Sequence, residues 1–131
     1  MIPKNSPLRL LTAAVVLAAS TLSVNSAFAH GAAKAQHGGI VQSASDLSFE
    51  LVAASDRATI YVLDHEDEFD TAGTSGKLTV LNGAEKSEAE LKPAGGNKLE
   101  AKGVKLGKGS KVVAALRTAD KKTITLRFTL R

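Results

Sequence analysis

Thr123-Ile124-Thr125-Leu126-Arg127-Phe128-Thr129-Leu130 alternates polar and apolar residues without a break. Successive strand side chains point to opposite faces, so Ile124, Leu126, Phe128 and Leu130 share one side and the threonines and Arg127 the other. A helix would scatter these four around its circumference, because its side chains repeat every 3.6 residues rather than every two. Working back along the chain, shorter stretches of the same period recur. Leu47, Phe49 and Leu51 alternate with Ser48 and Glu50, and Ile60 and Val62 alternate with Thr59 and Tyr61. Leu78 and Val80, Ala89 and Leu91, and Leu99 and Ala101 follow the same rule. Residues 112–116 (VVAAL) carry no polar interruption and are expected to form a more fully buried strand.

Turn-forming residues separate these runs: Asn82-Gly83, Pro93-Ala94-Gly95-Gly96-Asn97, Gly107-Lys108-Gly109 and Ala119-Asp120-Lys121. Strands spaced about 8–12 residues apart with such turns are the pattern of an all-β sandwich or barrel. Nothing longer than a turn has helical periodicity. The chain is therefore expected to be all-β: a single antiparallel β-sandwich or small barrel of seven to eight strands.

The first 29 residues carry a different message. Lys4 and Arg9 form a basic segment, residues 10–19 (LLTAAVVLAA) an apolar one, and Ala27-Phe28-Ala29 ends in the small residues that a signal peptidase prefers. Ten apolar residues fall well short of the roughly 20 that span a bilayer. The expected organisation is a cleaved signal peptide over 1–29, a flexible Gly-rich arm over 30–39 (HGAAKAQHGG), and a β domain over 40–131. A second small-x-small pattern, Ala33-Lys34-Ala35, offers another cleavage point. No further segment is apolar enough to be transmembrane, and export places the domain in the periplasm.

Cleavage after Ala29 removes Lys4 and Arg9, so the formal net charge falls from +4 to +2, with 15 basic against 13 acidic residues. That balance, with one Tyr, four Phe and no Trp, argues against nucleic acid, which needs both positive charge and stacking surfaces. There is no cysteine, so thiolate metal ligands, cysteine nucleophiles and disulfides are all excluded. No nucleophile elbow, P-loop or zinc-protease helix motif is present. An enzyme is not expected.

Three histidines remain as the chemistry-bearing residues. Cleavage after Ala29 makes His30 the first residue, putting a free α-amine and an imidazole on one chelating unit. His37 precedes Gly38-Gly39, where the backbone can turn sharply and approach a neighbour closely. His65 follows Asp64 where the strand Tyr61-Val62-Leu63 ends, inside a 64–70 segment holding five carboxylates in seven residues. Imidazole nitrogen with carboxylate oxygen suits Cu(II), Zn(II) or Ni(II), and the Irving–Williams order favours copper. The arm between His30 and His37 is long enough, at roughly 23–25 Å extended, for either to fold back onto Asp64-His65. The plainer reading is an acidic surface hairpin with a titrating histidine and an unstructured tail.

Several segments together resemble a known family: His37-Gly38-Gly39, Phe49-Glu50-Leu51, Tyr61-Val62-Leu63-Asp64-His65, Asp70-Thr71-Ala72-Gly73, Gly76-Lys77-Leu78-Thr79-Val80, and residues 91–99 (LKPAGGNKL). The chain is similar to the small periplasmic β domain associated with heavy-metal resistance. That domain also occurs within periplasmic adaptor subunits of metal-exporting resistance-nodulation-division pumps. The resemblance covers residues 37–102 and implies metal handling, with His37 and His65 as ligands and Glu50 and Asp64 as oxygen donors. The acidic Glu66-Asp67-Glu68-Phe69 replaces the Gly- or Pro-containing turn of that pattern. In its site alone the chain also resembles exported copper-resistance β-barrels, with His30, Asp64 and His65 as the corresponding donors.

The leading expectation is a periplasmic protein that binds a divalent transition metal, copper favoured, and buffers it or delivers it to an efflux-pump adaptor. The rival is a metal-independent β-sandwich docking to an envelope or exporter partner through a basic face. Residues 98–131 carry ten Lys or Arg against Glu100 and Asp120.

Overall fold

The computed structural model describes residues 33–131. Among them there is no helix. Nine strands follow in chain order: β1 (Ile40–Ala44), β2 (Leu47–Ala53), β3 (Arg57–Asp64), β4 (Asp67–Glu68), β5 (Ser75–Asn82), β6 (Glu85–Pro93), β7 (Lys98–Lys102), β8 (Lys111–Arg117) and β9 (Thr123–Thr129). The seven to eight strands expected are thus exceeded. Both additions have a physical reason for escaping a pattern search: β4 is two residues long, and β1 places Ile40 and Val41 side by side instead of alternating.

The strands form one antiparallel array in the order β1-β2-β3-β7-β6-β5-β8-β9, with β4 pairing only β3. Alternating direction across eight strands brings β9 back antiparallel beside β1. The two edges lie against each other, but no ladder joins them, and the array is a nearly closed barrel. A second weak junction lies between β6 and β7, which pair only through Lys92↔Glu100 and Pro93↔Leu99.

One core fills the barrel. Phe49, Leu51, Ile60, Leu78, Leu99 and Phe128 are all at most 2 % exposed, and each occupies the inward phase of its strand. Small Ala58, Ala101 and Ala114, fully buried, leave room for the larger side chains across the interior. Strand β8 departs from the expectation of burial on both faces. Val112, Ala114 and Leu116 point in, whereas Ala115 is exposed and Val113 half-buried on the outside. A small barrel has one apolar interior, so an all-apolar strand still buries only alternate residues.

Left-handed backbone at non-glycine residues concentrates at the turns of one barrel end. Ser45 and Asp46, both at positive φ (52° and 64°), make the two-residue turn between β1 and β2. Two positive φ values match the twist of an antiparallel hairpin, and Asp tolerates the conformation better than most side chains. His65 (φ 59°) and Lys121 (φ 67°) turn the chain at the same end.

Candidate functional site

Glu50 lies on the outward side of β2, in register with Val41 of β1 and Tyr61 of β3. An outward carboxylate would normally be solvated, yet Glu50 is only 6 % exposed. Residues 36–39 cross over it. Its Oε1 accepts the backbone N–H of His37 (2.8 Å) and Gly39 (2.9 Å). Its Oε2 accepts the N–H of Gln36 (3.0 Å) and lies 3.0 Å from His37 Nδ1. Burial pushes the carboxyl up, but the hydrogen bonds from His37 Nδ1 and from the Gly39, His37 and Gln36 amides outweigh it and hold the group below its ordinary value. Four donors thus converge on one carboxylate and fasten the second half of the 30–39 arm to the barrel wall.

Gly39 is required at the crossing. A Cβ there would sit 2.3 Å from the Leu51 carbonyl oxygen and 2.9 Å from Glu50 Cγ. Gly38, at φ 72°, supplies the turn that precedes it. The His37 ring lies flat on Tyr61, with ring centroids 3.6 Å apart and planes 4° from parallel. With Nδ1 aimed at a carboxylate, the neutral ring carries its proton on Nδ1, so that Nε2 keeps its lone pair. The side chain is 40 % exposed. Carboxylate, imidazole and free Nε2 in sequence is the arrangement that orients histidine for a metal ion.

The second histidine repeats the motif in the open. His65 Nδ1 is 2.7 Å from Asp64 Oδ1, with side chains 80 % and 54 % exposed. Asp64 pairs with Asp67 across the β3–β4 turn, so carboxylates crowd beside the imidazole.

The structure therefore brings the expected ligands together two by two. His37 meets Glu50, and Asp64 meets His65, while His30 lies outside the described residues. Three residue steps along β3 lead from Tyr61 to Asp64, about 10 Å of strand, and the odd spacing puts them on opposite faces. Among the described residues no group of three or more His, Asp or Glu side chains is disposed to hold one ion. Both Glu50 oxygens are already engaged by donors, so its observed work is to orient His37 and fasten the strap.

Three participants escaped the sequence reading: Tyr61, taken only as a strand residue, and the backbone amides of Gln36 and Gly39. The available signal was Glu50 at an outward strand position opposite the chain's one tyrosine. Comparison with known protein families, curated proteins and solved structures finds no match to this chain.

Proposed function

We propose that this is an exported, periplasmic protein that binds a divalent transition metal, copper favoured, and buffers it or hands it to efflux machinery. The supporting observation is that both described histidines turn Nδ1 to a carboxylate, Glu50 and Asp64, leaving each Nε2 as a donor. Holding the imidazole in one tautomer and orientation removes an ordering cost that a free side chain would meet on coordination. His37 is the more rigid donor, clamped by both Glu50 and Tyr61. His65 is the more accessible, with Asp64 and neighbouring carboxylates raising local cation concentration.

Separate one-imidazole docks suit an ion that is picked up and passed on. Tight storage would call for several donors around one centre. His30 is assigned as a further donor, carrying its α-amine once the signal is removed.

Calorimetry with Cu(II), Zn(II) and Ni(II) on protein lacking residues 1–29 tests this reading. Binding should be lost stepwise in His65→Ala, His37→Ala and the double variant, and should weaken on acidification because imidazole binds metal only when neutral. Affinity in the double variant equal to that of the parent protein would refute it.

A further inference from the structure

Charge divides along the barrel axis. Asp46, Asp64 and Asp120 surround a cavity at one end, with the other carboxylates of the 64–70 segment adjoining it. Lys98, Arg117, Lys121 and Lys122 offset only part of that charge. Strand β8 leads from this end, at Arg117, to the opposite rim at Lys111. Lys111 is in register with Thr129 and Leu81, and Leu130 bonds to Ser110 and Gly109. Asn82 Nδ2 donates to the Lys105 carbonyl, drawing the 103–110 loop onto the same rim.

Four cations gather there, Lys105, Lys108, Lys111 and Arg131, and a fifth, Arg127, stands further in on the outer face of β9, opposite Val113; all are exposed. Among the described residues none of the five has a carboxylate at ion-pairing distance. Arg57 and Lys102, nearer the β3–β7 edge, are by contrast paired with Asp56 and Glu100. Glu85, beyond the Asn82-Gly83 turn, is the acidic residue nearest in sequence to Leu81. Leu81, in register with Lys111 on one side and Lys86 on the other, is 37 % exposed, and among the described residues it is the exposed large hydrophobic side chain. Partly buried Leu106 lies between Lys105 and Lys108 in the loop.

We propose that this rim docks on an anionic phospholipid surface, with the acidic end facing away from the bilayer. Charge complementarity and the exposed leucine beside Lys111 are the grounds. Basic side chains around an apolar residue match a headgroup layer, which offers negative charge above hydrocarbon. The seven residues of β8 separate the two ends by roughly 20 Å, and the Debye length at physiological salt is about 8 Å, so the acidic end does not cancel the rim's field. A single-stranded nucleic acid would call for aromatic side chains to stack on, and the rim has none. Metal plays no part in this docking, which goes beyond the metal-binding reading and stands or falls separately from it.

Vesicle co-sedimentation of the chain lacking residues 1–29, with EDTA throughout, tests the proposal. Vesicles containing about 30 % phosphatidylglycerol should retain the protein where pure phosphatidylcholine does not, with retention falling between about 50 and 300 mM salt. At roughly fivefold per cation, Lys105→Ala/Lys108→Ala/Lys111→Ala should lower partitioning roughly a hundredfold. Leu81→Ser should lower it severalfold, while Glu66→Lys/Asp67→Lys at the far end should not weaken it. Equal retention on neutral and anionic vesicles, or an unchanged triple variant, overturns the proposal. Capture by immobilised heparin or polyglutamate without retention on vesicles also overturns it, and assigns the rim to a soluble polyanion.

Discussion

Replacing Glu50 with Ala should release residues 36–39 while leaving the barrel folded. The side chain lies on the outward face, so its loss opens no cavity in the core. Four hydrogen bonds to a charged acceptor, at about 1.5 kcal/mol each, contribute about 6 kcal/mol, and the His37–Tyr61 stack adds about 1 kcal/mol. Ordering four residues costs about 4 kcal/mol of backbone entropy. Closure of the strap is thus favourable by about 3 kcal/mol, and without Glu50 it becomes unfavourable by a similar amount.

Amide hydrogen exchange measures this directly. The Gln36, His37 and Gly39 amides should be protected roughly a hundredfold in the parent protein and exchange at peptide rates in Glu50→Ala. Denaturant unfolding should show a loss of about 3 kcal/mol with a nearly unchanged m-value. Glu50→Gln keeps one acceptor oxygen and should show an intermediate loss. Tyr61 is the chain's one tyrosine, and there is no Trp, so its emission reports the His37 stack without labelling. Strap amides protected within twofold of the parent in Glu50→Ala would refute the carboxylate as the fastening.

Four other outcomes follow from the same geometry. Cu(II) bound at His37 Nε2 should quench Tyr61 emission, and His37→Ala should abolish the quenching while His65→Ala leaves it in place, as a fluorescence titration would show. Gly39→Ala should cost roughly 1–3 kcal/mol in denaturant unfolding and expose the strap to proteolysis, because its Cβ runs into Leu51 O. His65→Gly should be neutral or stabilising by up to about 1 kcal/mol, since φ 59° burdens a residue with a Cβ, even as metal binding declines. Glu50 is held below its ordinary pKa, so its contribution is fully present above the unfolded carboxyl value and is lost as pH falls through the folded one. Acid should therefore open the strap, and Glu50→Gln should flatten that part of the stability–pH curve.

Legibility in the sequence followed the range of the interaction. Alternation is a local property set by the pleat, so the runs ending at Leu51, Val62 and Leu130 announced strands before any pairing was known. Turn chemistry is equally local: Asn82 and Pro93 end β5 and β6, and Gly83 and residues 94–97 fall between strands as their residue types require. Strand β1 escaped because its five residues do not alternate, and its place is settled by pairing with β2. The two-sided burial read into residues 112–116 failed for a related reason. Apolar composition does not say how many faces a strand covers, and a barrel offers only one.

Fold class, strand phases, the absence of thiol chemistry and the short roster of histidines and carboxylates were all readable in the order of residues. Tertiary structure alone decided which of these meet. His37 and Glu50 are 13 residues apart and join because a strap crosses an outward strand face, whereas His65 keeps only its neighbour Asp64. Barrel closure likewise sorted dispersed charges into an acidic end and a basic rim. Period and turn type are written in adjacent residues. The juxtaposition of distant ones depends on strand order and register, which in this chain are set by how eight strands wrap one core.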